Sequence, residues 1–193
     1  ESSYVGGLVG YNFTGSTVSN SYNTGSVTRN GISTSGRAGG LVGTNFGAIK
    51  DSYATGNVTG VRDVGGLTGG NDTGGTITNS YATGNVSGTG VQIGGLVGIL
   101  NGGTLTKSYA TGAVNGIDYV GGLVGIFWAG TVSDAYATGN VSGRAGIGGL
   151  VGNSQVTATT VFHSYATGNV TGTGNTVGGL MGNNGGTVSE SYA

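Results

Sequence analysis

The chain has 193 residues, 47 of them glycine and none proline or cysteine, and its charged side chains, 7% of the total, sum to a net -1. That composition excludes collagen, which needs glycine at every third position and proline to stiffen it, and it excludes disulfides and thiolate metal sites. So few cations cannot neutralise a phosphate backbone, which makes nucleic acid a poor partner, and no apolar run is long enough to insert in a bilayer.

Taken in order, the chain says one thing seven times. Gly-Gly followed by leucine begins at Gly6, Gly39, Gly65, Gly94, Gly121, Gly148 and Gly178, and a Ser-Tyr-Ala-Thr-Gly-Asn-Val word or a near copy surrounds Tyr22, Tyr53, Tyr81, Tyr109, Tyr136, Tyr165 and Tyr192. Successive tyrosines lie 31, 28, 28, 27, 29 and 27 residues apart. This period admits helical arrays, leucine-rich repeats and β-solenoids. A helix carrying this much glycine would lose about 1 kcal/mol per glycine against alanine, and no 3.6-residue periodicity is present. One leucine per repeat is too few for a leucine-rich array. The expectation is an all-β β-solenoid of about seven stacked coils, forming one repeat domain over residues 1–193 with partial coils at both ends, a piece of a larger surface protein.

Each coil offers about three short strands, exemplified by Val120 to Gly125, Gly130 to Ser133 and Gly139 to Ser142. Gly, Asn, Ser and Asp between them supply the corners. At about 4.8 Å per coil the rod would be on the order of 34 Å long. Three apolar columns read as core: Val18, Ile49, Ile77, Leu105, Val132, Val161 and Val188; Val27, Val58, Val86, Val114, Val141 and Val170; and Leu8, Leu41, Leu67, Leu96, Leu123, Leu150 and Leu180. Each stacks on its own kind in the next coil. The tyrosines either fill the interior or stack outside a corner; three thin aliphatic columns favour buried rings with the hydroxyl at a polar corner. The glycine three residues later, such as Gly56 or Gly84, is expected at positive φ. Strand alternation would place the residues flanking Gly-Gly-Leu, for example Val120 and Val124, on one outer face. Either a bulge at Gly-Gly buries one of these columns, or the two form an apolar strip for lateral association.

The words Gly-Gly-Leu-Val-Gly and Ser-Tyr-Ala-Thr-Gly-Asn-Val resemble the GLUG-motif repeats of bacterial and archaeal cell-surface proteins, among them adhesins and some immunoglobulin-A-cleaving metallopeptidases. The resemblance implies a surface-exposed β-helical stalk or adhesive region, secreted or anchored, with no catalysis of its own. Such peptidases carry a zinc-binding His-Glu-x-x-His elsewhere, and the one histidine here is His163. The first copy departs from the pattern, with Asn23 for alanine and Ser26 for asparagine.

One imidazole and singly scattered acids assemble no nucleophilic triad and no zinc site, so no enzyme, cofactor or metal is expected. The column Asn20, Asp51, Asn79, Lys107, Asp134, His163 and Glu190 reads as a solvated corner. There His163 would lie between Asp134 and Glu190 as weak surface pairs, with a metal site as the lesser alternative. The loop after Leu-Val-Gly carries Tyr11, Phe13, Phe46, Ile99, Leu100, Phe127 and Trp128. These form either an aromatic ridge for a glycan or protein or a cover over the apolar outer face. Arg29, Arg37, Arg62 and Arg144 gather on another loop, read as a solvated edge. Thr17, Thr76, Thr78, Thr104, Thr106, Thr131 and Thr187 form flat ranks interrupted by Ala48, Lys50 and Phe162, as an ice-binding face would, although threonine is also common in solvated strands. The leading expectation is a non-enzymatic adhesin module for a surface glycan or protein. The others are an ice-binding module and a fibre-forming protein that associates laterally or end to end.

Overall fold

A computed structural model describes residues 3–30 and 36–193. It contains strands and no helix among the described residues. Every strand pair is parallel, and residues pair across one repeat, as Tyr81 does with Tyr53 and Tyr109. The chain is a β-solenoid, its seven repeats making about six full turns.

One coil runs through five short segments: Val64–Gly65, Thr68–Asn71, Thr76–Thr78, Tyr81–Ala82 and Val86–Gly88. Stacked along the rod they form four sheets, the second and third segments sharing one sheet of twelve strands. In two coils those segments fuse into single strands, Val97–Thr106 and Val124–Ser133. The expected three strands per coil are therefore five. The first splits at Gly-Gly-Leu, and Tyr-Ala forms a ladder of its own.

The split has a backbone cause. At the bend the Leu96 carbonyl accepts two N–H groups of the preceding coil, Leu67 at 2.9 Å and Thr68 at 3.1 Å. The chain thus turns sharply without orphaning a polar group. This turn overrides strand alternation, so both flanking columns are buried. Ala38, Val64, Ile93, Val120 and Ile147 enter one core with Val58, Val86, Val114 and Val141. Leu67, Leu96, Val97, Leu123 and Val124 enter a second core with Ile77, Leu105, Val132 and the alanines after each tyrosine. Two cores run side by side along the rod, and the apolar outer strip does not exist. A bulge burying one column was half the answer.

Glycine is required where backbones meet. A Cβ on Gly98 would lie 2.7 Å from the Val64 nitrogen of the preceding coil, and Gly125 stands the same way to Ile93 at 2.6 Å. The second glycine of the motif faces alanine across the interior: a Cβ on Gly66 would sit 2.8 Å from the Ala82 Cβ. There is room for alanine and nothing larger. The tyrosines consequently point outward, half-buried in the middle coils, with Tyr22 and Tyr192 exposed. The expected burial of the rings is overturned by the narrowness of that interior. The glycines after the tyrosines are not at positive φ either. A Cβ on Gly84 would meet the Gly56 carbonyl oxygen at 2.1 Å, so they are glycine because each lies flat on the last.

Candidate functional site

The left-handed corner falls instead on the polar column before each Ser-Tyr. Asn20, Asp51, Asn79, Lys107, Asp134, His163 and Glu190 all have φ between 47° and 51°. Asn and Asp tolerate this region best. Immediately after it, serine stitches coils together. The Ser80 hydroxyl donates to the Thr78 carbonyl at 2.8 Å and accepts the Ser52 N–H at 3.2 Å, and Ser108 repeats the arrangement with Thr106 and Ser80. His163 lies between two carboxylates as expected, with Nε2 2.5 Å from Glu190 Oε2 and Nδ1 3.6 Å from Asp134 Oδ1. The carboxylates address opposite ring nitrogens, so they do not converge on one cation position. Among the described residues no His, Asp and Glu cluster is arranged to hold a metal.

The tyrosines form a continuous ladder from Tyr22 to Tyr192, with ring centroids 4.7 to 5.1 Å apart and planes within 2–6° of parallel. Burial first, then the neighbouring phenols, raises Tyr109 and Tyr136 above the ordinary value of 10.0. A shallow groove of about 290 Å³ follows the ladder, lined by Asp51, Tyr53, Asn79, Tyr81 and Tyr109. Because each ring face is covered by the next ring, the ladder offers edges and hydroxyls rather than stacking surfaces.

Beside it runs the threonine face. Thr17, Ala48, Thr76, Thr104, Thr131, Thr160 and Thr187 are in register from coil to coil. The second rank, Ser19, Lys50, Thr78, Thr106, Ser133, Phe162 and Ser189, shares the same pairings. Thr160 escaped the sequence reading because its coil lacks Gly-Gly before the threonine; counting back from Tyr165 would have found it.

The expected aromatic ridge is divided. Tyr11, Phe13 and Phe46 meet at one end of the rod, joined by Tyr4. Tyr11 lies 4.4 Å from Phe13, 5.4 Å from Phe46 and 5.5 Å from Tyr4 between centroids. Phe127 is fully buried, and so is Leu100, its partner in the preceding coil. They continue an inward column that begins as an asparagine ladder, in which Asn12 donates to Asn45 and Asn45 to Asn71, each at 2.7 Å. Phe127 therefore cannot touch a ligand, a correction that follows from its facing inward, four residues after the leucine of the buried bend. Trp128, its neighbour, faces out at 42% exposure, at the register shift between the Leu100–Phe127 and Asn101–Ala129 pairings.

The arginine loop is also not a solvated edge throughout. Arg37 donates to Asp72, and to the Thr44 hydroxyl at 2.5 Å, and pairs with Asp63 at 3.6 Å, while Arg62 bonds Asp63 at 3.3 Å and Gln92 at 3.0 Å. The Asp72 and Asp63 side chains are only 6% and 12% exposed. Burial pushes the Asp63 carboxyl up despite both guanidiniums; burial also works against the Arg37 charge, but the Asp72 hydrogen bond and carboxylates outweigh it and Arg37 rises. This cluster fills the fold between the segments before and after Gly-Gly. Arg144 does remain exposed; its hydrogen bond to Asp118 holds that carboxyl below its usual range.

No curated protein matches this chain. The family model described as the GLUG motif matches residues 1–28, 34–59, 60–87 and 118–142, more than half of the length. The intervening and following coils keep the same register in the seven-stranded sheet that leads into Gly-Gly. By the motif, and by the bend and glycine contacts that explain it, the chain belongs to the GLUG-motif family.

Proposed function

We propose that the chain is a non-enzymatic repeat module of a secreted or surface-anchored protein, holding out or itself forming an adhesive surface for a glycan or protein. Membership of the GLUG-motif family supports the reading, as does a rod whose coils each contact only their neighbours. One observation carries it. Every recurring column serves the stacking of coils, since leucine and valine fill the cores, glycine admits backbone, serine satisfies the corner and tyrosine stacks outside. Recognition is left to the side chains that break the columns, chiefly Phe13, Phe46 and Trp128. Phe13 is 66% exposed, unusual for so large an apolar ring. The test is to probe immobilised glycans and surface proteins with the whole chain. A specific signal, competed by soluble ligand, is expected. Binding no greater than that of a non-repeat control protein would remove the adhesive reading.

A second reading rests on the threonine register, which is broken in its first rank only by Ala48. Thr76/Thr78, Thr104/Thr106 and Thr131/Ser133 stand side by side in three successive coils, as an ice-binding face would require. Lys50 and Phe162 interrupt the second rank, and Ser133 is buried. A thermal-hysteresis measurement showing no effect on ice growth would dispose of this reading.

A further inference from the structure

The gap in the threonine rank is also a shallow, open pit. Ala48 stands between Thr17 and Thr76 in register, and beside it lies a depression of about 200 Å³ lined by Thr14, Ser16, Thr17, Phe46, Ala48 and Thr76, with glycines at its rim. Two of those glycines border open space: a Cβ on Gly15 would touch nothing within 4 Å, and one on Gly74 would reach only the Phe46 carbonyl oxygen at 4.0 Å. Phe46 is held from behind, its ring stacked on Tyr11 at 5.4 Å and 14°, and Tyr11 is braced in turn by Phe13 and Tyr4. The wall is thus a fixed ring and the sides are hydroxyls. None of the lining residues carries a charge. Lys50, two residues along, is turned toward Asp51 at 3.8 Å.

The geometry points to a binding site for one ring of a neutral glycan, resting on the adhesive reading above and naming its ligand class. A pyranose has an apolar C–H face for an aromatic wall and hydroxyls at its edge for threonine and serine. The lining offers no cation to pair with a sialylated or sulfated sugar, so nothing in it favours an acidic glycan over a neutral one. The pit is smaller than the ~300–1,000 Å³ of a drug-sized pocket, which suits a single saccharide unit with the rest of the glycan lying along the open rank. The other sites fit this class less well. The tyrosine ladder has its faces covered, and Trp128 lines neither of the two depressions described above.

Ala48→Thr tests this directly. Threonine occupies the same register position in the six other coils, so the substitution should fold while filling the pit. An array of neutral hexose and N-acetylhexosamine oligosaccharides, with sialylated and sulfated ones alongside, is probed with wild type, Ala48→Thr, Phe46→Ala, Thr76→Val and Trp128→Ala. The expected result is a neutral-glycan signal weakened at least about tenfold by the first three variants and unchanged by Trp128→Ala. Melting curves confirm folding, and Thr76→Val, which keeps shape and removes only a hydroxyl, decides the matter if Ala48→Thr melts early. A signal lost in Trp128→Ala but kept in Ala48→Thr and Thr76→Val overturns the pit and leaves the adhesive reading standing. A signal confined to acidic glycans overturns the neutral class. No glycan signal overturns the pit, and if surface proteins also fail to bind, the adhesive reading falls with it.

Discussion

At the scale of single residues, the clearest departures are places where one coil lacks what its neighbours have. Ala135 occupies the position of the stitching serine, so no hydroxyl meets the Ser108 N–H. Ala135→Ser would supply a hydroxyl that accepts this N–H and donates to the Ser133 carbonyl. A gain of about 1 kcal/mol is expected, or roughly 2–4 °C in Tm for a chain of this size. An unchanged or lowered melting temperature would contradict the stitching role. The buried ion cluster should behave in the opposite way. Asp72→Asn removes the carboxylate that Arg37 both bonds and is charged against, leaving a guanidinium desolvated. Breaking a buried pair typically costs about 3–5 kcal/mol, and because Asp63 remains at 3.6 Å the lower end is expected in chemical denaturation.

The element that most distinguishes this exterior is the tyrosine ladder. Two phenols in its middle, Tyr109 and Tyr136, are partly desolvated and sit beside neighbouring phenols, and both are raised above the ordinary value. The sign follows from linkage. A group whose folded pKa is raised holds its proton more tightly when folded, so its contribution is complete below the unfolded pKa of about 10 and is lost as pH rises through the folded value. Stability should therefore fall on going above about pH 10, and the Tyr109 and Tyr136 phenols, followed individually by NMR, should ionise above that value in the native protein. Ionisation of both at the value of free tyrosine would mean the stack does not persist in solution. The ladder was half legible in the sequence. Its spacing showed that tyrosines stack on tyrosines, but inside or outside turned on the distance between Gly66 and Ala82, which no spacing encodes.

For the molecule as a whole, repetition means stability is close to a sum over coils and their interfaces. Removing residues 81–108, one 28-residue period, would join Ser80 to Tyr109 and bring Tyr53 against Tyr109 in the same register. The shortened chain should fold, with its denaturant m-value smaller by roughly a seventh in proportion to the surface buried. A deletion a few residues longer or shorter than the period should not be tolerated, because it would bring Gly-Gly against a column that carries side chains. Failure of the in-register deletion to fold would mean that one coil nucleates the rest.

Spacing and residue type together establish the period, the stacking of coils, the GLUG resemblance and the three aliphatic core columns, because a residue that recurs every coil must stack on itself and an aliphatic one gains by doing so inside. Spacing also places His163 between Asp134 and Glu190. Which side each column faces at Gly-Gly-Leu is settled only in three dimensions. There a carbonyl accepting two N–H groups replaces strand alternation with a bend, one core becomes two, and Phe127 goes inside while Trp128 stays out. The fate of the arginines is settled the same way, since Arg37 and Asp72 are 35 residues apart and meet only because the coils close. Contacts within a column repeat and can be read from spacing; contacts between columns depend on the angle of a bend.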